Sequence, residues 1–126
     1  MRKLFLAVIA TFVTIQVVPF IVYGTMSVMS GLEPTGTTSP GLFMAGVAIS
    51  KLGTAIAFVT LYWLVLDSIG RRWFLYAIPW WTMFVATELG EALGTNYTWM
   101  EAIGGIISET FYTPLASYLT YRILRK

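Results

Sequence analysis

Lys51, Glu88, Glu91 and Glu109 are ionisable side chains set inside otherwise apolar runs, and Gln16, the single glutamine, sits in another such run. Glu88 and Glu91 belong to the stretch Thr87-Glu88-Leu89-Gly90-Glu91, so on a helix the two carboxyls share a face. Such groups suggest a short list of chemistries. A di-iron carboxylate site takes Glu-x-x-His pairs, and the chain has no His. An all-oxygen site for Ca²⁺, Mg²⁺ or Mn²⁺ needs only carboxylates, which Glu88, Glu91 and Glu109 could supply. Two carboxyls can also act as acid and base on a lipid-soluble substrate. No nucleophile is marked, because Ser50 beside Lys51 points to a different helix face and Ser108 beside Glu109 is no stronger. A lone buried lysine can form a Schiff base, but a packing or ion-pair role is far commoner. Cys is absent too, which excludes disulfides, thiolate chemistry, iron–sulfur ligation and His-ligated haem or zinc. No cofactor and no catalytic residue are expected.

The runs that hold these groups read as membrane spans. The chain of 126 residues is 57% hydrophobic and 11% charged, where a soluble domain carries roughly 25% charged residues. A soluble domain of this size could not cover that much apolar surface. Four segments, at about 4–29, 42–66, 73–93 and 98–121, meet or approach the about 20 residues that cross a bilayer. The first is too long for a signal-peptide core and has no good Ala-x-Ala site after it. Gly, Pro and hydroxyl residues from Ser30 to Gly41 make a loop. Asp67 to Arg72 is a tight charged turn, and Gly94 to Tyr97 a short connection. The expected architecture is one all-α domain over 1–126, an up-down-up-down four-helix transmembrane bundle.

Lys and Arg set the orientation. Arg2, Lys3, Arg71, Arg72, Arg122, Arg125 and Lys126 fall at the N-terminus, the second connection and the C-terminus, and none falls in the other two connections. Both termini are therefore expected to be cytoplasmic, in a multi-pass protein of the inner (plasma) membrane. Trp63 and Trp73 at the cytoplasmic turn, and Tyr97 and Trp99 at the outer connection, suit interfacial anchors. The basic clusters satisfy this rule and give no case for nucleic acid. Asn96-Tyr97-Thr98 fits the glycosylation pattern, a chance match in so short a loop.

Depth follows from a rise of about 1.5 Å per residue. Gln16 comes to lie roughly 18 Å from the cytoplasmic face, Lys51 roughly 14 Å and Glu109 roughly 16 Å from the outer face. All three reach the centre, with Glu88 and Glu91 nearer the outside and Glu101 at the outer interface. A charge at mid-bilayer costs at least about 2.5–3.5 kcal/mol. Lys51 should therefore pair with Glu109 or Glu88, or the carboxyls should stay protonated. Glu101, Gly105, Ser108, Glu109, Tyr112 and Ala116 share one small or polar side of the fourth helix, and Trp81, Phe84, Glu88 and Glu91 one side of the third. Together they outline a carboxylate-lined vestibule floored by Lys51, Glu109 and Gln16. A structural ion pair that fixes helix register competes with this reading.

Two further features bear on packing. Gly46, Ser50, Gly53 and Ala57 make a small-residue stripe on the second helix, and Gly104, Gly105 and Ser108 a small patch on the fourth, where helices can approach closely. Pro19, Pro79 and Pro114 free the carbonyls of Ile15, Leu75 and Thr110, two of them adjacent to Gln16 and Glu109. The Met-Arg-Lys-Leu-Phe-Leu-Ala-Val opening, the Gly-Leu-Phe start of the second helix and Ala-Ile-Gly-Gly-Ile-Ile-Ser-Glu in the fourth give the chain a layout that resembles small uncharacterised four-helix inner-membrane proteins of bacteria. That resemblance implies location and helix count, and no activity. The residues favour non-enzymatic binding or transport of a cation, proton or polar small molecule at Lys51, Glu88, Glu91, Glu109 and Gln16. Four helices make a narrow bundle, so a homo-oligomer is expected if it conducts. The alternatives are an accessory subunit of a larger membrane complex and, behind it, an intramembrane acid–base enzyme.

Overall fold

The computed structural model describes residues 1–30, 39–94 and 98–125, and these form an all-α four-helix bundle. The helices are α1 (Arg2–Ser30), α2 (Pro40–Ile69), α3 (Trp73–Leu93) and α4 (Trp99–Leu124). Local chemistry sets their ends. The Ser39 hydroxyl accepts from the Leu42 amide at 3.3 Å and Pro40 opens α2, so the helix starts slightly earlier than the apolar run. At its other end α2 continues through Asp67 and Ser68 to Ile69, and Gly70 turns the chain with φ +58°, a region glycine enters without strain. Thr98 and Glu101 form a reciprocal capping box at the start of α4. Glu101 is therefore a helix cap and not merely a solvated interfacial charge. α1, α3 and α4 run on through Pro19, Pro79 and Pro114. Asn96 and Tyr97 lie outside the described residues.

α4 is the central helix. It packs along its length against α1 and against α3, α2 leans mainly on α1, and α2 meets α3 and α4 only sparingly. Lys3 Nζ donates to the Arg125 carbonyl at 3.1 Å, Thr11 and Thr120 hydroxyls meet at 3.0 Å, and Tyr23 OH donates to the Glu101 carbonyl at 2.8 Å. α1 and α4 are thus antiparallel. Ser117 Oγ donates to the Trp73 carbonyl at 2.6 Å and Trp81 Nε1 to Thr110 Oγ1 at 3.0 Å, which sets α3 antiparallel to α4. Lys3, the turn with Arg71 and Arg72, and Arg125 consequently share one end, called here the basic end.

Aromatic residues close the basic half. Tyr62 and Tyr76 meet edge to face at 4.7 Å between centroids, and Phe58 and Tyr76 at 4.9 Å. Tyr76 also donates its hydroxyl to the Phe58 carbonyl. Tyr76→Phe keeps the ring and removes only that bond, so a loss of about 1 kcal/mol is expected in reversible unfolding. An unchanged stability would show that the bond contributes nothing. α2 buries Ala55, Phe58, Val59 and Tyr62, and no residue before Ala55. Its first half therefore stands off from α3 and α4.

Polar side chains share the interior with the apolar core, and large apolar side chains line the exterior. Thr11, Ser108, Glu109, Thr113, Ser117 and Thr120 are buried, while Phe20, Leu42, Phe43, Ile49, Leu64 and Phe111 are exposed. Two helical stretches, Arg2–Val28 and Pro40–Ile69, are long and apolar enough to cross a membrane. The sequence led us to expect four. α3 carries three Trp and a Tyr with its two carboxylates, and α4 is rich in Gly, Ser and Thr. α4 lies against protein over much of its circumference, so its packing needs small residues more than apolar ones.

Candidate functional site

Glycines bring the carboxyls together. A Cβ on Gly105 would lie 2.6 Å from Glu88 Oε2, so the Glu88 carboxyl of α3 rests directly on the α4 backbone. A Cβ on the adjacent Gly104 would meet the Tyr23 ring at 2.8 Å and Met26 Sδ at 2.9 Å. The small patch read from the sequence is thus the contact surface of α4, one glycine serving α1 and the next serving α3. Glu109 stands one turn beyond Gly105 and is 5% exposed, and its carboxyl and that of Glu88 act on each other electrostatically. Two carboxyls can hydrogen-bond each other only when one carries a proton. Glu88 Oε2 and Glu109 Oε2 are both buried and take no hydrogen bond from a donor group among the described residues.

Lys51 completes the group from α2. Its ammonium lies over the Tyr112 ring, 5.6 Å from the centroid, a cation–π position. It feels the charges of both Glu109 and Glu88. Among the described residues it closes no ion pair within 4.0 Å, so the direct pairing expected from the sequence is replaced by a looser arrangement.

The remaining candidates sit apart from this centre. Glu91 and Glu101 act electrostatically on Glu88 and extend the acidic region away from the basic end. Among the described residues no three acidic side chains group to hold a metal ion, so the all-carboxylate site outlined from Glu88, Glu91 and Glu109 does not assemble. Gln16 has a buried amide oxygen without a partner among the described residues. The register that pairs Thr11 with Thr120 and Tyr23 with Gly104 places Gln16 near the level of Thr113, about one turn along α4 from Glu109.

The predicted face of α4 is the buried one: Gly105, Ser108, Glu109, Tyr112 and Ala116 all lie inside. Sequence reasoning missed the hydroxyls that continue it, Thr113, Ser117 and Thr120, with Thr11 and Thr14 opposite on α1. Their steps of three and four residues were a readable signal. The α2 stripe, in contrast, faces outward, with open space above Gly46 and Gly53. It borders a shallow groove of about 390 Å³ lined by Leu42, Phe43, Gly46, Val47, Ser50 and Lys51. No family model, no curated protein and no solved structure matches the chain.

Proposed function

We propose that this is a multi-pass membrane protein whose Glu88–Glu109 carboxyl pair, balanced by Lys51, reversibly binds a proton or a small cation and passes it across the membrane without catalytic chemistry. The observation that carries the reading is that Glu88 Oε2 and Glu109 Oε2 are both buried and have no hydrogen-bond partner among the described residues. Intramembrane ionisable groups that face a bundle interior mark ion and proton pathways. The apolar exterior and the polar interior support the membrane setting, and the basic end supports cytoplasmic termini. All four helices then span, with Glu88 of α3 and Glu109 of α4 meeting between those two helices.

Infrared spectroscopy of the detergent-solubilised protein tests the site through the carbonyl band of a protonated carboxyl. Glu88→Gln and Glu109→Gln are each expected to remove the same titrating band, because the proton belongs to the pair. Two independent bands, or no change in either variant, would sink the shared site. Loss of the band on adding sodium, potassium or calcium would identify the cation that competes. The exposed stripe Gly46, Ser50, Gly53 and Ala57 favours a second reading, in which another membrane helix packs there. A stoichiometric partner retained in mild detergent would support an accessory subunit, and a single species of several copies a homo-oligomer.

A further inference from the structure

We infer that the buried hydroxyls of the α1–α4 interface form the inner leg of a proton path from the carboxyl pair to the basic end. This rests on the binding reading above and narrows its ligand to the proton. Glu109, Thr113, Ser117 and Thr120 follow one another along α4 at intervals of four, four and three residues, and all are buried. Side chains at such intervals stand about 5–6 Å apart on one face. One water between successive groups would complete a hydrogen-bonded file.

The hydrogen bonding of the helical hydroxyls separates relay from ordinary packing, and Ser117, which donates to the Trp73 carbonyl of α3, joins a relay only by turning that hydrogen away. Thr14, Thr25, Thr54, Thr82, Thr87 and Thr110 donate back to carbonyls of their own helix, the usual resting state of a helical hydroxyl. Thr113 does not: its Oγ1 is fully buried and has no partner among the described residues, and Gln16 Oε1 at the same level lacks one there as well. Both need a water or another donor. Further along, Thr11 and Thr120 meet hydroxyl to hydroxyl at 3.0 Å, and either can be the donor. A relay needs that reversibility. At the basic end Lys3 and Arg125 are joined by a hydrogen bond.

The same contacts argue against a metal ion on this leg. The direct Thr11–Thr120 contact leaves no bore for a hydrated ion, and the cationic Lys3, Arg122 and Arg125 lie beyond it. A proton needs no bore. An O–H bond forms on one oxygen as another breaks on the next, and each hydroxyl or water ends with the number of protons it began with. Outward, Glu88 is followed by Glu91 and Glu101. From Glu101 to Arg125 the α4 axis covers about 36 Å, against a bilayer core about 30 Å thick.

The test places the purified full-length protein in lipid vesicles loaded with a pH-sensitive dye and drives proton entry with a potassium diffusion potential. Wild type is expected to conduct above empty vesicles and Glu109→Gln to match them. Thr113→Val should lower the flux at least tenfold, and Thr113→Ser should keep it within about twofold. Ser117→Ala, at the next step, should also lower it. The infrared band of the carboxyl pair should survive in every Thr113 and Ser117 variant. Wild-type flux from Thr113→Val, or no flux from wild type, would overturn the path while an intact band leaves the binding reading standing. Loss of the band in Thr113→Val would also overturn it, since Thr113 would then be part of the site's structure and not a relay. Loss of the path together with absence of the band in wild type would remove both.

Discussion

Gly105→Leu is expected to be the most damaging single substitution in the bundle, lowering unfolding free energy by about 3 kcal/mol or more. The reason is specific to its neighbour. A side chain there must take the space of the Glu88 carboxyl, whose oxygens would lie 2.6 and 2.7 Å from even a Cβ. Either α3 moves away from α4 or Glu88 leaves Glu109, and a buried carboxyl that loses its partner costs about 1–3 kcal/mol more. Gly53→Leu provides the control, because nothing lies within 4 Å of that position. It should shift stability by no more than about 0.5 kcal/mol. Reversible unfolding in mixed detergent micelles measures both. Equal stabilities for the two variants would mean that α3 does not rest on Gly105.

Lys51→Met is expected to cost about 1–3 kcal/mol, because Glu88 and Glu109 lose a neighbouring ammonium although no closed ion pair is broken. Glu109→Gln should be milder, because Glu88 and Lys51 then still balance and the amide can donate to the remaining carboxylate. The informative quantity is the cycle. With Glu109→Gln already present, the lysine substitution should cost less, by a coupling of about 0.5–3 kcal/mol. Additivity within about 0.5 kcal/mol would mean that Lys51 and Glu109 do not interact, and that the ammonium is held by the Tyr112 ring alone. The coupling should persist at high salt, since partly buried charges are poorly screened.

Much of this was legible before any coordinates. Long apolar runs and their punctuation gave four helices with ends close to those observed, because Ser39, Gly70 and Thr98 carry their capping chemistry in their own side chains or lack of one. Spacing also found the inner face of α4, since a helix repeats its faces regardless of its neighbours. What spacing could not give was distance across helices. Glu88, Glu91 and Glu109 were equal candidates in sequence, yet only Glu88 reaches Glu109, and it does so because Gly105 happens to face it. The Lys51–carboxylate pair was expected to close, but α2 stands off in its first half and leaves the ammonium over Tyr112. The buried hydroxyls stayed invisible for a different reason. Ser and Thr are ordinary in apolar helices when they bond their own backbone, and only the partners in three dimensions show that Thr113 does not.

The helix that packs along both α1 and α3 is the last of the four to leave the ribosome. While α1, α2 and α3 are being made, Thr11 has no Thr120 to meet and Glu88 has no glycine bed to lie on. The growing chain must carry these polar faces without their partners until α4 is released and slots between α1 and α3. The contacts of α1 and α3 with α4 therefore form in one late step, after the first three helices have been made. Substitutions on the inner face of α4 should lower the yield of protein in cells more than their effect on the finished molecule would suggest.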